Sequence, residues 1–141
     1  MTVKDLMTIN VRTIRPDDGC DLAAEIMRAE NVGCIPVCDS QNHLLGLITD
    51  RDIIVRRGFG RKASEIMTAC LHTVTSRQNI HDAALEFSRH GVRRLPVVDD
   101  GRLVGMLTLK DLAGRRIFMA EIGHIVFDIS NYENNTSAYG K

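Results

Sequence analysis

Two short stretches that share one pattern decide the fold of this chain. Residues 46–52 read Gly-Leu-Ile-Thr-Asp-Arg-Asp, and residues 105–111 read Gly-Met-Leu-Thr-Leu-Lys-Asp. Each stretch contains a glycine, two apolar residues, a threonine, and an aspartate three positions after the threonine. Two copies of one pattern, 59 residues apart, indicate that part of the chain is duplicated.

The duplication extends over most of the chain. A shift of 60 residues aligns Met7-Thr8 with Met67-Thr68, and after one deletion in a turn a shift of 59 aligns Leu44 with Leu103. The two shifts together give thirteen identities with a single gap. We interpret this as a tandem repeat of one structural unit.

Each repeat predicts the order β-α-β-β-α. In the first repeat, residues 11–14 alternate and predict a strand, while residues 20–30 have apolar residues at helical spacing. Residues 34–38 are apolar throughout and predict a buried strand, and residues 44–48 return as its hairpin partner. A second helix is predicted to begin at Thr49. The second repeat follows the same order.

The fold class is therefore α/β (α+β), with two tandem units. A unit of 60 residues buries only about 60% of its unfolded surface and is marginal alone, so we expect the units to pack sheet to sheet with pseudo-two-fold symmetry. Residues 1–60 are predicted as the first unit, residues 61–114 as the second, and residues 115–141 as a C-terminal extension.

The extension is predicted to be partly helical and then frayed. Phe118, Ile122, Ile125 and Ile129 follow a 4-3-4 spacing that suits one helix face packed on the module or on a second copy. A strand over residues 124–129 is the alternative, because Gly123 weakens a helix by ~1 kcal/mol. The polar residues from Asn131 onward are expected to fray.

Composition argues against several classes of protein. Lys+Arg and Asp+Glu are both 18, so the chain lacks the net positive charge expected of a protein that binds DNA mainly through its phosphates. An aromatic content of 4% with no Trp argues against a protein that stacks the bases of single-stranded nucleic acid. No apolar run approaches the roughly 18 residues of a membrane span, and no signal peptide is recognised. The four cysteines form no Cys-x-x-Cys pair, so we expect reduced thiols in a cytoplasmic protein.

Metal and catalytic chemistry are not predicted. The five histidines are scattered, and only the loose pair His81 and His90 shares a helix. Cys34 and Cys38 are separated by about 13 Å of strand, so they cannot chelate one ion. No Ser/His/Asp arrangement is positioned by the sequence. We therefore expect no metal site and no enzyme.

The threonine and aspartate of the duplicated pattern have two interpretations. A threonine N-cap with an acid three residues later resembles a capping box, which needs no ligand. Three features favour a ligand instead: the N–H groups of a helix start attract anions, a basic residue follows (Arg51 or Lys110), and an aspartate can accept hydrogen bonds from a ribose diol. These groups suit the sugar and phosphate of a nucleotide, and they are not the groups of a hydrolase.

The two repeats resemble a pair of CBS domains. The resemblance is carried by Met-Thr near each start, by residues 31–37 and 91–105 with their apolar-Pro-Val strands, and by the glycine-to-aspartate pattern at each end. It covers about residues 3–114. It implies a regulatory module that binds adenosine-containing ligands in clefts between the paired units: AMP, ADP, ATP or S-adenosylmethionine.

The resemblance also implies two sites, each drawing on both repeats. Aspartates would hold ribose hydroxyls, threonines a phosphate, and the segments before Pro36 and Pro96 the adenine. One site would comprise Thr8, Val11, Arg12, Val32, Gly33, Cys34, Thr108, Lys110 and Asp111, and the other Thr49, Arg51, Asp52, Thr68, Leu71, His72, Val92, Arg93 and Arg94.

The two sites are predicted to differ. Gly33-Cys34 is small and neutral whereas Arg93-Arg94 is bulky and cationic, so we hypothesise that Arg93-Arg94 favours more phosphate charge at the site of Thr49 and Asp52. A solvated turn is the alternative interpretation of Arg93-Arg94. Such a module is expected to be a homodimer of four units in a disc that regulates an effector protein. The alternatives are an interaction or dimerisation module without ligand, and RNA binding through Arg93-Arg94 and Arg115-Arg116, against which zero net charge argues.

Overall fold

A computed structural model describes residues 1–69 and 71–136. By packing, the chain divides into two compact units, and each contains segments that are far apart in sequence. Of the described residues, the central unit comprises 10–69, 71 and 99–103, and the terminal unit comprises 1–9, 72–98 and 104–136. Cys70 and residues 137–141 lie outside the described residues.

The central unit contains three helices and one antiparallel hairpin. Its elements are α1 (Cys20–Glu30), β1 (Cys34–Cys38), β2 (Leu44–Thr49), α2 (Asp50–Val55) and α3 (Ala63–Ile66). In the hairpin Cys34 lies opposite Thr49, so the start of β1 stands beside the start of α2. The core side chains come from every element: Ile14, Cys20, Ala23, Ile26, Met27, Ile35, Val37, Ile48, Ile53, Ala63 and Ile66.

The terminal unit repeats this arrangement and adds a long helix. A 3-10 turn (Val3–Asp5) precedes α4 (Ile80–His90), β3 (Arg94–Asp99), β4 (Arg102–Thr108) and α5 (Leu109–Ala113), and a second 3-10 turn (Arg116–Phe118) leads into α6 (Met119–Thr136). Strands β3 and β4 form the second two-stranded sheet. Its core comprises Val3, Val74, Ile80, Ala83, Ala84, Phe87, Leu95, Val97, Leu107, Leu112, Phe118, Ile125 and Ile129.

Local sequence explains the ends of the two matched long helices. The Asn79 side chain accepts hydrogen bonds from the N–H groups of His81 and Asp82, which caps the start of α4. Helix α4 ends at Gly91, whose φ of 63° is left-handed, and α1 ends in the same conformation at Asn31, with φ of 54°. Glycine and asparagine are the residues that adopt this backbone conformation most readily.

Packing does not follow the order of the sequence repeats. The N-terminal segment belongs to the terminal unit, where Thr8 exchanges backbone hydrogen bonds of 2.8 and 3.0 Å with Met106. The turn between β3 and β4 belongs to the central unit, where the Leu44 N–H donates to the Gly101 carbonyl at 3.2 Å. The boundaries 1–60 and 61–114 therefore stay a prediction about sequence repeats, whereas packing divides the chain differently.

The structure corrects the prediction for residues 11–14 and decides between the helix and the strand predicted for the C-terminal extension. The strand expected at residues 11–14 is reduced to one parallel bridge between Ile14 and Val37, because only Ile14 makes backbone hydrogen bonds to β1 before the chain turns away. The C-terminal stripe forms a helix rather than the alternative strand, with Ile125 and Ile129 buried. Residues 131–136 continue this helix, the fraying expected from Asn131 onward stays a prediction, and the last residues of the chain, 137–141, lie outside the described residues.

The fold class is the one predicted: a mixed α/β chain with two small antiparallel sheets. Among residues 1–69 and 71–136, no helix is long and apolar enough to cross a membrane.

Candidate functional site

The predicted site residues fall into two groups, one in each unit. All of them are exposed or half-buried, and of these Val92 packs against the core of the terminal unit. The central unit holds Val11, Arg12, Val32, Gly33, Cys34, Thr49, Arg51, Asp52, Thr68 and Leu71, and the terminal unit holds Thr8, His72, Val92, Arg93, Arg94, Thr108, Lys110 and Asp111. The combination of residues from both repeats that the resemblance implies stays a prediction.

Each helix start of the duplicated pattern is closed by a reciprocal capping box. In α2 the Thr49 N–H donates to Asp52 Oδ2 at 3.0 Å, and the Asp52 N–H donates to Thr49 Oγ1 at 3.0 Å. In α5 the Thr108 N–H donates to Asp111 Oδ2 at 2.8 Å, and the Asp111 N–H donates to Thr108 Oγ1 at 3.3 Å. Both helix starts therefore have the predicted cap. The cap uses each threonine hydroxyl only as an acceptor, so its proton can still be donated.

The caps use only one oxygen of each aspartate carboxylate. For both Asp52 and Asp111, the hydrogen bonds found among the described residues use Oδ2, which leaves Oδ1 as an acceptor. Both side chains are half-buried. A carboxylate fixed through one oxygen and open at the other is suited to accept hydrogen bonds from a polyol.

The N–H groups at both helix starts were expected to attract an anion, but those of α2 already have partners within the protein. The Asp50 N–H donates to the Gly33 carbonyl at 3.0 Å, and the Arg51 N–H donates to Asp50 Oδ1 at 2.8 Å. With Asp52 in the cap, the first three N–H groups of α2 are all occupied. Asp50 itself provides the acceptor that the sequence interpretation overlooked, and its charge opposes an anion there.

In α5 the corresponding positions are chemically different. The Leu109 N–H donates to the Arg93 carbonyl at 3.0 Å, in the same way as Asp50 does to Gly33. Leu109 has no side-chain oxygen, so the Lys110 N–H lacks the local acceptor that Asp50 offers in α2. The start of α5 therefore carries one positive and one negative side chain, where the start of α2 carries one positive and two negative ones.

The strand starts lie beside these helix starts within each unit. The carbonyl bonds from Gly33 and Arg93 hold the residues before β1 and β3 next to α2 and α5, respectively. A Cβ added at Gly33 would lie 3.3 Å from Asp50 Oδ2, so this approach is tight. Backbone groups, an aspartate and a threonine are thus collected at one edge of each sheet.

The Met-Thr segments contact the glycines of the duplicated pattern, which the sequence interpretation did not foresee. A Cβ on Gly46 would lie 2.7 Å from Met67 Sδ and 2.9 Å from the Thr68 carbonyl oxygen. A Cβ on Gly105 would lie 2.8 Å from Met7 Sδ and 2.8 Å from the Thr8 carbonyl oxygen. The glycines are needed because another segment of backbone lies directly on the strand. The two motifs share a repeat in sequence, but each glycine contacts the Met-Thr segment of the other repeat.

Two of the candidate arginines are engaged in ion pairs. Arg12 contacts Glu30 at 3.3 Å, and Arg93 contacts Glu133 of α6 at 3.3 Å. Both pairs are exposed, so each is weak and exchangeable. Glu133 lies in the extension to which the sequence interpretation assigned no site residue.

The histidines of the terminal unit are partnered separately. The ring of His72 stacks on that of His90 with centroids 3.5 Å apart, and His90 Nε2 lies 2.9 Å from Glu86. His81 Nδ1 instead lies 2.7 Å from Glu121. In the part of the chain that the structure describes, no three His, Cys, Asp or Glu side chains are grouped to hold a metal ion.

The buried cysteines are chemically quiet. Burial raises the pKa of the Cys38 thiol to about 11, and burial also raises the pKa of Cys20. Both thiols are therefore protonated at neutral pH and are weak nucleophiles and metal ligands. Cys38 is 1% exposed, whereas Cys34 at the start of β1 is half-buried.

Comparison with known proteins identifies the repeat. The family model described as CBS domain matches residues 3–57 and 63–118. The CBS domain-containing protein YhcV of Bacillus subtilis (strain 168) is 37% identical over 135 residues, which cover 92% of this chain and 96% of YhcV.

Solved structures agree with this match. CBSX2 in complex with AMP is 30% identical with a TM-score of 0.73, covering 80% of this chain and 93% of that chain. The CBS domain pair of MJ0100, in complex with 5-methylthioadenosine and S-adenosyl-L-methionine, is 29% identical with a TM-score of 0.74, covering 86% and 98%.

A third solved structure carries metal. Hypoxic Response Protein I, with two coordinated zinc ions, is 30% identical with a TM-score of 0.73, covering 82% of this chain and 98% of that chain. The absence of metal expected for the present chain stays a prediction. The resemblance seen in the sequence is confirmed, and the chain belongs to the CBS-domain family.

Proposed function

We propose that this protein is a regulatory module that senses an adenosine-containing ligand: AMP, ADP, ATP or S-adenosylmethionine. The observation that carries the proposal is the pair of matched helix starts, each with a capped aspartate whose Oδ1 is open. Two similar CBS proteins have been solved with adenosine compounds bound, one with AMP and one with S-adenosyl-L-methionine.

Each group in the proposed site has one task. Oδ1 of Asp52 or Asp111 accepts hydrogen bonds from ribose hydroxyls, while the hydroxyl of Thr49 or Thr108 donates to a phosphate oxygen. Backbone groups at the strand starts, near Gly33 and Arg93, receive the adenine. None of these groups is placed to activate a nucleophile, so the role is regulatory and involves no catalysis by this chain.

Regulation follows from linkage. A ligand that binds one arrangement of the protein more tightly shifts the population toward that arrangement. We propose that the protein acts as a cytoplasmic homodimer and that an effector protein responds to this shift. A module without ligand, in which Thr49 and Thr108 only cap helices, is the competing function, because the caps are complete in themselves.

Asparagine substitutions separate the two functions. Asp52→Asn and Asp111→Asn keep an oxygen for the cap but remove the charge that a ribose hydroxyl would meet. Since hydrogen bonds to charged groups contribute about 1.5–3 kcal/mol, we expect each variant to weaken ligand binding by about 10- to 100-fold at its own site, with little change in unfolding free energy.

Calorimetric titration with AMP, ATP and S-adenosylmethionine measures the affinities, and thermal unfolding gives an independent check. A ligand at 100 times its dissociation constant stabilises the folded state by ~2.7 kcal/mol. Asp82→Asn is the matched control, since Asp82 occupies the same third position of a helix, α4, outside the proposed site. No stabilisation of the wild-type protein by any of the three compounds would favour the module without ligand.

We also propose that the two sites differ in their preference for phosphate. Arg93-Arg94 is predicted to pair with Thr49 and Asp52. We therefore expect Asp52→Ala to weaken ATP binding more than AMP binding, and we expect this difference to be smaller for Asp111→Ala. Equal losses for both ligands in both variants would refute this inequality.

A further inference from the structure

The end of α6 lies on the loop that precedes β3, and both belong to the terminal unit. A side chain at Gly91 would overlap the Tyr132 ring, so the ring lies directly against the backbone of this loop. One residue further along α6, the Glu133 carboxylate contacts the Arg93 guanidinium at 3.3 Å. Two successive residues of the helix therefore cover the loop from Gly91 to Arg93.

This position of α6 is set by its buried face. Within α6, Ile129 is completely buried in the core of the terminal unit and Ile125 is 3% exposed, while Phe118, in the 3-10 turn just before α6, is completely buried in the same core. Residues four apart lie on one helix face, so the position of Ile129 brings Glu133 to the same side one turn later. The contact with Arg93 thus follows from a packed helix rather than from a loose tail.

The ion pair itself is weak enough to be displaced. The side chains of Arg93 and Glu133 are 52% and 43% exposed, and exposed ion pairs contribute little to stability. A guanidinium binds a carboxylate and a phosphate through the same N–H donors. Arg93 therefore has an internal acidic partner that uses the same donors as a phosphate would need.

We propose that Glu133 is a specificity-determining residue: its carboxylate competes with ligand phosphate for Arg93, and the end of α6 is a strap that phosphate must displace. This inference rests on the proposed function, since it assumes an adenosine ligand near Arg93. The competition weakens ligands in proportion to the phosphate charge that they bring to Arg93. Adenosine, which brings none, is unaffected.

Substitution of the internal competitor tests the proposal. Glu133→Gln removes the charge and keeps the shape of the side chain. We expect ATP to bind about two- to fivefold more tightly to this variant, AMP less so, and adenosine with unchanged affinity. Glu121→Gln is the matched control, because Glu121 is an acid of the same helix that pairs with His81 instead. In an Arg93→Gln background, Glu133→Gln is expected to have no effect on ATP.

Hydrogen exchange gives a structural measurement on the unmodified chain. We expect ATP to increase amide exchange over residues 130–136 of α6 in the wild-type protein, because the strap loses its ion pair, and adenosine to leave it unchanged.

The outcomes separate the inference from the function on which it rests. If ATP binds but Glu133→Gln changes its affinity no more than Glu121→Gln does, the strap is wrong and the sensing function stands. An equal gain for adenosine and ATP also overturns it, because the effect would then not depend on phosphate. If neither the wild type nor Glu133→Gln binds any of the three compounds, both the function and the inference fail.

Discussion

The central and terminal units share one local arrangement, a frame formed by a strand glycine, the Met-Thr segment that lies on it and the capped start of the next helix. The side chains around this frame differ between the units. Both have a glycine under a Met-Thr segment and a reciprocal Thr/Asp cap at the following helix. The hairpin is entered through Gly33-Cys34 in one unit and through Arg93-Arg94 in the other. Duplication has therefore preserved the groups that shape the backbone and cap the helix, while the charges around that frame have diverged.

The units also differ in what completes their cores. The terminal unit includes α6, whose Ile125 and Ile129 pack in the same cluster as Phe87 and Leu95. No described helix of similar length belongs to the central unit, whose longest helix is α1. The same extension supplies the acid that contacts Arg93. One added helix thus contributes both to the core of its unit and to the charge beside Arg93.

The largest effect is expected from breaking the packing of α6. Ile129→Ala removes a completely buried side chain and should lower the free energy of unfolding by about 2 to 5 kcal/mol. Urea denaturation followed by circular dichroism measures the change. Phe127→Ala is the control on the same helix, since Phe127 is 65% exposed and should change stability by less than about 0.5 kcal/mol. Equal effects of the two variants would show that α6 is not part of the core.

A smaller loss of stability should follow from adding a methyl group at the two glycines on which the Met-Thr segments lie. Gly46→Ala and Gly105→Ala each place a Cβ within 3 Å of a backbone carbonyl oxygen, and overpacking of this kind destabilises by about 1 to 3 kcal/mol. The two losses should be similar if the frames are equivalent, as measured by urea denaturation.

In the matched control for the glycine substitutions, the expected change in stability has the opposite sign. Gly123→Ala lies in α6, where an added Cβ meets nothing within 4 Å, and it should stabilise the protein by up to ~1 kcal/mol. A neutral result for Gly46→Ala or Gly105→Ala would show that the Met-Thr segment is free to shift, and the equivalence of the two frames would be lost.

The smallest effect concerns the charge at the start of α2. Asp50→Asn keeps the oxygen that accepts from Arg51 but removes an acid that α5 lacks. A negative charge near the start of a helix opposes an anion there, so we expect ATP to bind about two- to fivefold more tightly at low salt, with the gain shrinking as salt is added.

Asp17→Asn controls for the loss of one negative charge elsewhere in the central unit, since the Asp17 side chain is 90% exposed. Calorimetric titration at two salt concentrations distinguishes the variants. An equal gain in both would mean that net charge, rather than the helix start, is responsible.

Much of the candidate site was predictable because its groups are local in sequence. A threonine and an aspartate three residues apart form a cap through neighbouring backbone, so Thr49 with Asp52 and Thr108 with Asp111 needed no tertiary information. Helix α1 and strand β1 were predicted with the bounds that the structure has, because apolar residues at helical spacing over eleven positions indicate a helix, whereas a short apolar run followed by a turn indicates a buried strand. The occupied N–H groups of α2 were missed, because their acceptors depend on the side chain of Asp50 and on the fold around Gly33.

Apart from the strand expected at residues 11–14, the amino-acid sequence by itself determined the repeat, the order of its helices and hairpin strands, the family and the residue types at each helix start. These depend on periodicity and short-range hydrogen bonds, which act over a few residues. Only the tertiary structure decided that Thr8 lies on Gly105, that Thr68 lies on Gly46, and that Glu133 meets Arg93. These contacts join residues 22 positions apart for Thr68 and Gly46, 40 for the ion pair and 97 for Thr8 and Gly105, and no local pattern encodes which distant segment a strand or loop will meet.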